Sequence, residues 1–376
     1  MMKLTGLSLA LLLALHGPAA LAEQAAPAPL AAEASLAGRI DAAIAPAFRP
    51  GEPGATVIVV KDGQTVLRKA YGEADAVKHI PMTPDMALRL GSITKQFTAA
   101  AILLLEQDGK LARTDEITRF FPDYPTHGKR ITIEHLLTHT SGIVSFTGLN
   151  GYERDMAKDQ TTAQMIARFK DKPLEFEPGT RFAYNNSGYF LLGAIIEKVS
   201  GLPYATFLEQ RIFIPLGMHS TAYEGHDRGQ VKHAAGHTRA GKGYGYAEPL
   251  SMTQPHAAGA LVSTVDDLAR WDAAMAEGKL IKGISWQDMA RPYRLASGKS
   301  TGYGYGVGED RLGGTLAIAH GGDINGFSTY ALRVPDQNVY VAVLTNSDSG
   351  ITSAEKVAQR AALLAIGKEL PPPRPK

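Results

Sequence analysis

The sequence predicts an α+β protein in which one antiparallel sheet is built from both ends of the chain and flanked by terminal helices, with a mostly helical subdomain inserted between. Three observations predict it. Strand patterns occur near residues 55–71 and again over 303–345, whereas helices and loops dominate about 131–275. Strands so far apart can share a sheet only if the chain leaves it and returns. Helical patterns also open and close the folded stretch.

The first helix is read over Leu36–Ala45, closed off by Pro46 and then Pro50-Gly51. Ala55–Val60 and Thr65–Tyr71 flank Lys61-Asp62-Gly63-Gln64, a hairpin signal, because Asp-Gly supplies the positive φ of a tight turn. A second helix starts near Ser92. Its apolar positions Phe97, Ala100, Ala101, Leu104 and Leu105, with Leu88, Leu90 and Ile93 flanking the serine, place it in the core. Further helices are expected at Gly188–Val199 and Thr264–Met275. Tyr303–Val307, Leu316–His320, Phe327–Val334 and Val339–Thr345 read as strands, and Ser353–Ile366 as the closing helix. No fixed-period repeat is visible. The reading is one catalytic unit over 36–369, with sheet segments 36–95 and 300–369 around a mostly helical subdomain of about 96–299.

Met1-Met2-Lys3, an apolar run Leu4–Leu15 and Ala20-Leu21-Ala22 form a charged, an apolar and a small-x-small segment, the pattern of a signal peptide over 1–22 cleaved after Ala22. An Ala/Pro-rich linker over 23–35 and a Pro-rich tail over 370–376 bracket the unit. Export implies a periplasmic or secreted protein with no stable transmembrane anchor once the signal is removed, since the apolar run is short for a bilayer. The 376 residues carry a net charge of +2, with 20% charged and 44% hydrophobic residues, a globular profile that gives nucleic acid no footing. With no cysteine, thiol nucleophiles, disulfides and thiolate metal sites are excluded.

Gly91-Ser92-Ile93-Thr94-Lys95 contains a Ser-x-x-Lys, which on a helix places hydroxyl and amine on one face, a nucleophile beside a base. Spacing alone leaves two readings open, a catalytic Ser92 or an N-cap serine with a snorkelling lysine. A second copy, Ser353-Ala354-Glu355-Lys356, reads as a helix start, with Thr352 and Glu355 forming a capping box. Around the first copy, a lysine in a buried helix must be paired or neutral.

Three further segments distinguish that copy: Tyr184-Asn185-Asn186 leading into a helix, Ala319-His320-Gly321-Gly322 at a strand end, where small residues let a substrate approach the backbone, and His135-Leu136-Leu137-Thr138-His139-Thr140-Ser141-Gly142. With these, the chain resembles the penicillin-recognising serine hydrolases, the branch of class C β-lactamases, D-Ala-D-Ala carboxypeptidases and related esterases. The resemblance covers roughly residues 37–366 and includes LEQDGKL (105–111), IPLGMHST (214–221), Ser263–Trp271 and Val341–Asn346.

What the resemblance implies is a β-lactamase/DD-peptidase-like fold and a set of roles. Ser92 would be the nucleophile, Lys95 its proton partner and Tyr184 a second acid/base. Asn186 would share the hydrogen-bond network, and the backbone N–H groups of Ser92 and Asp323 would hold the oxyanion. On chemical grounds Lys95 and Tyr184 could lower each other's barrier, the cation favouring phenolate and desolvation favouring neutral amine. One departure limits the resemblance. Class C β-lactamases carry Lys-Thr-Gly where this chain has His320-Gly321-Gly322, so the cation becomes a titratable imidazole and the hydroxyl is lost.

Other motifs carry less. Gly298-Lys299-Ser300-Thr301-Gly302 matches Gly-x-Ser-x-Gly but lacks the preceding apolar strand of a nucleophile elbow, and Tyr293 stands where a P-loop needs glycine. The pairs His135/His139 and His233/His237 lack carboxylates at telling spacing, so no metal or other cofactor is expected. The expected function is an exported acyl-serine hydrolase, D-Ala-D-Ala carboxypeptidase-like or a related peptidase or amidase. A broad esterase of the same fold and a non-catalytic penicillin-binding sensor are the alternatives. Its partner would be a small molecule or peptide, a peptidoglycan stem peptide among the candidates.

Overall fold

The computed structural model describes residues 35–226, 231–350 and 353–370, all within the compact unit Ser35–Lys376. The expected signal peptide and nearly all of the linker, and the tail beyond residue 370, lie outside the described residues. Helix α1 (Leu36–Ile44) is capped by Ser35, whose Oγ accepts from the Gly38 N–H at 3.2 Å. Strands β1 (Ala55–Lys61) and β2 (Gln64–Tyr71) pair across Asp62 and Gly63, at φ 51° and 74°, as the Asp-Gly turn requires. There follow α2 (Thr94–Gln107), α3 (Asn186–Ser200), α4 (Val265–Ala276), β3 (Gly308–Leu312), β4 (Thr315–Ile324), β5 (Phe327–Val334), β6 (Val339–Thr345) and α5 (Ala354–Ala365).

The sheet has the order β3-β4-β5-β6-β1-β2, with every pairing antiparallel. Its two sequence halves join where β1 meets β6, from Ala55 opposite Thr345 to Lys61 opposite Val339. The sequence Val339–Thr345 explains why this strand is central: all seven residues are buried. Val341 and Val343 pack with Ile40, Ile44, Val357 and Ala361 of α1 and α5. Ala342 and Leu344 face the other way, toward a core holding Phe97, Ile195 and Trp271 of α2, α3 and α4. A strand covered on both faces reads as an unbroken apolar run, and each fully buried Val or Leu contributes about 1.5–3 kcal/mol.

The sequence expectations fail at three places. Tyr303–Val307 is a loop, because Gly306, at φ 73°, lies so close to α2 that a Cβ would come within 2.6 Å of the Lys95 carbonyl oxygen. The strand begins instead at Gly308. Strand β4 does not end at His320 but continues through Ile324, since pairing with β5 persists to Ile324 opposite Phe327. Helix α5 is capped by Ser353, whose Oγ accepts from the Lys356 N–H at 3.3 Å; Thr352, expected as its cap, lies outside the described residues.

Candidate active site

The strand pair Leu88–Arg89 and Val262–Ser263 feeds into a 3₁₀ turn, Gly91–Ile93, that runs directly into α2. Strand β4 backs onto this turn. A Cβ at Gly91, whose φ is 51°, would lie 3.2 Å from the Asp323 nitrogen, and one at Gly322 would lie 2.0 Å from the Leu90 oxygen and 3.0 Å from the Ser92 nitrogen. Only glycine permits that approach. The smallness of residue 322 thus serves the protein's own backbone, where the sequence suggested room for substrate. The Thr329 hydroxyl, 2.8 Å from the Leu90 carbonyl and 3.1 Å from that of Gly322, ties turn and strand together. The backbone nitrogens of Ser92 and Asp323 become neighbours. Neither the turn nor α2 has a side-chain cap, so the N-cap reading of Ser92 does not hold.

Lys95 is fully buried. Its Nζ lies 3.0 Å from Ser92 Oγ, 2.9 Å from Asn186 Oδ1 and 2.8 Å from the Ala258 carbonyl oxygen. Burial pulls its pKa well below the usual lysine range. A neutral amine has two N–H donors and one lone pair. Two of the three neighbours, the amide and carbonyl oxygens, can only accept, so the lone pair is left for the Ser92 proton. Asn186 is fixed in place at both ends: it opens α3 behind the cap Asn185, and its Nδ2 donates to Thr147 Oγ1 at 3.2 Å.

Tyr184 precedes that helix. His139 Nδ1 accepts from the Asn185 N–H at 3.0 Å, and its ring lies 4.3 Å from that of Tyr184, which fixes the tyrosine's approach. Lys95 Nζ sits 4.8 Å from the Tyr184 ring centroid. Tyr184 is 43% exposed, with its hydroxyl near Ser92 and Asp323. Partial burial pushes the hydroxyl above the usual tyrosine range, the Ser92 hydroxyl nearby opposes the shift, and the Asp323 charge adds to it. Of the two influences expected from the sequence, desolvation prevails over the cation: burial lowers Lys95 and raises Tyr184, which favours neutral amine beside neutral phenol.

His320 is likewise not the cation that the sequence allowed for. Its Nε2 is 2.9 Å from the Tyr303 hydroxyl and its Nδ1 faces the Gly321 carbonyl. These partners assign the Nδ1–H tautomer, with Nε2 accepting from Tyr303. Burial, with the nearby Lys95 adding to it, takes its pKa down to about 4. At neutral pH the imidazole is uncharged.

The structure thus gathers Ser92, Lys95, Tyr184, Asn186, His320, Gly321, Gly322 and Asp323 at one place, where β4 passes the start of α2. Sequence reasoning missed Tyr303, hidden in a segment taken for a strand, and the Ala258 carbonyl, for which no side-chain signal exists. Tyr189 lies under the amine, its ring centroid 5.5 Å from Lys95 Nζ, one helical turn beyond Asn186. Its i+3 spacing from Asn186 was available as a signal. His237 is buried in a network with Asn346 and the Ala76 N–H, and among the described residues no group of three or more His, Asp or Glu could hold a metal. Gly298, Lys299 and Ser300 are exposed loop residues, unlike a nucleophile elbow. Among the described residues no single helix is long and apolar enough to cross a membrane.

Comparison with known proteins places this geometry. The chain is 29% identical to penicillin-binding protein 4* of Bacillus subtilis (strain 168), over 83% of this chain and 72% of that protein. It is 27% identical to a D-aminopeptidase of Gluconobacter oxydans (strain 621H), over 86% of this chain but 62% of that longer protein. Its fold superposes on D-amino acid amidase from Ochrobactrum anthropi SV3, solved with L-phenylalanine amide, at a TM-score of 0.74 and 27% identity, covering 87% of this chain and 98% of the other. The family model described as Beta-lactamase matches residues 36–366, and with that match the chain belongs to the Beta-lactamase family, as a serine hydrolase of the β-lactamase fold.

Proposed function

We propose that this protein is an exported peptidase or amidase that works through an acyl-enzyme on Ser92. The observation that carries the reading is the buried Lys95 amine 3.0 Å from Ser92 Oγ, with acceptors at its other two contacts. Lys95 takes the Ser92 proton as Oγ bonds to the substrate carbonyl carbon, and the carbonyl π pair moves to oxygen. The neighbouring N–H groups of Ser92 and Asp323 stabilise that oxyanion. As the oxyanion collapses, the C–N bond breaks and the departing nitrogen takes a proton from the neutral Tyr184 hydroxyl, which recovers one from Lys95. Water then repeats the sequence on the ester, and Ser92 is restored.

Amide and peptide substrates, among them stem peptides ending in D-alanine and D-amino-acid peptides, are supported by the penicillin-binding and D-aminopeptidase relatives, of which this chain spans 72% and 62%. A second reading, an esterase, is favoured by one observation: the uncharged His320 and the Gly321 that replaces a hydroxyl residue leave that strand without a charged group to hold a carboxylate. Export rests on the Met1–Ala22 sequence pattern.

Intact-mass analysis after exposure to a fluorophosphonate, and separately to a penicillin, tests the reading. A single adduct on wild type and none on Ser92→Ala is expected; equal labelling of the two overturns it. Parallel turnover of D-Ala-D-Ala peptides, amino-acid amides and nitrophenyl esters separates peptidase, amidase and esterase.

A further inference from the structure

The charge balance at the cleft is one-sided. The basic groups that the fold brings to Ser92 are committed: Lys95 is buried against two oxygen acceptors, and His320 is occupied at both ring nitrogens. Arg89, three residues ahead of the serine, is held bidentate by Glu224 at 2.6 and 2.7 Å. Asp323 differs from all of these. It is exposed at the end of β4, and among the described residues no hydrogen bond or ion pair engages its carboxylate. Its backbone nitrogen adjoins Gly91 and Ser92, and its charge reaches the Tyr184 hydroxyl. An uncompensated anion therefore stands a few covalent bonds from the N–H that faces the reacting carbonyl.

We propose that the Asp323 side chain selects the substrate: it favours acyl donors bearing an ammonium next to the scissile carbonyl, as amino-acid amides and peptides cleaved from their amino end do, and disfavours substrates with a free carboxylate on the leaving side. The inference rests on Ser92 being the acylated nucleophile and deepens that reading. The backbone of Asp323 serves any carbonyl equally, so discrimination falls to its side chain. An α-ammonium lies one carbon from the carbonyl, within reach of a carboxylate at that position. A free carboxylate on the leaving side, as in D-Ala-D-Ala peptides and penicillins, meets like charge without a neutralising lysine.

The test compares wild type with Asp323→Asn, which keeps shape and backbone. The substrates are phenylalanine amide in both enantiomers, N-acetyl-phenylalanine amide and a D-Ala-D-Ala peptide, and a neutral fluorophosphonate is run in parallel. The preference in kcat/KM for the free-amine amide over its N-acetyl form should fall about tenfold in Asp323→Asn, mostly through KM. Added salt should erode that preference in wild type only, and turnover of the carboxylate-terminated peptide should rise. If both proteins label on Ser92 yet the ratios are unchanged, the inference is overturned and the Ser92 reading stands. If neither labels nor turns over any substrate, both fall.

Discussion

The chain contains Ser-x-x-Lys twice, and the two copies have opposite fates. Ser353 begins an exposed helix start: its Oγ accepts from the Lys356 N–H, and Lys356 is exposed. Ser92 occupies an uncapped turn, and Lys95 is fully buried with its amine toward Ser92, Asn186 and Ala258. The same four-residue pattern yields a cap in one place and a nucleophile with its base in the other. What differs is the backbone that surrounds each. Around Lys95, Asn186 and Tyr189 of α3, the Tyr184 ring and the 3₁₀ turn ending at Ala258 enclose the amine; Lys356 is exposed to water.

Substitutions should separate the copies by many orders of effect. Ser92→Ala should reduce kcat by roughly 10⁴-fold or more, as loss of a nucleophile does in acyl-serine enzymes, measured on whichever amide proves the best substrate; retention of a tenth of the activity would erase the distinction. Lys95→Met, which fills the same buried space without a base, should cost about 10²–10⁴-fold.

The pH profile sharpens the point. Lys95 must be unprotonated to accept a proton, and its folded pKa lies well below 10.5, so kcat/KM should rise with pH through an ionisation below that value and be lost as pH falls through it. Tyr184 is pushed the other way, above 10, so no falling limb from it should occur below pH 10; a bell centred near neutrality with an alkaline limb at about 9 would contradict the neutral-phenol assignment.

Smaller effects follow in order. Tyr303→Phe removes a donor to the neutral His320, so the His320 pKa should rise somewhat above about 4 while burial still holds it below 6.5, read by NMR titration of the imidazole. A histidine whose folded pKa is depressed is less protonated than in the unfolded chain, so wild-type stability should decline as pH falls from 6.5 toward 4, and less so in this variant. Least of all, Ser353→Ala should leave kinetics unchanged and lower stability by about 1 kcal/mol through the lost cap, read as a shift in the denaturation midpoint.

Much of the fold was legible because its signals are local. The Asp62-Gly63 turn, the apolar run of β6 and the capped closing helix each declare themselves within a dozen residues. The failures in strand extent are non-local. Tyr303–Val307 has the composition of a strand, but its conformation is set by the Lys95 carbonyl against Gly306, a contact between distant segments. The site shows the same division: Ser92, Lys95, Tyr184 and Asn186 are chemically distinctive side chains, whereas the Ala258 carbonyl is backbone, and the charge state of His320 depends on burial that no spacing encodes.

The pairing of β1 with β6 sets a schedule for the chain. The hairpin that leads toward Ser92 is made early, yet its neighbour in the sheet, β6, comes far later in the chain, and so does Gly322-Asp323, the segment that abuts the serine. A nascent polypeptide therefore holds an unpartnered strand edge and an unassembled reaction centre until Gly322-Asp323 and β6 have been made. Such late, long-range closure slows folding, and it withholds catalytic competence from every truncated product that lacks the final hairpin.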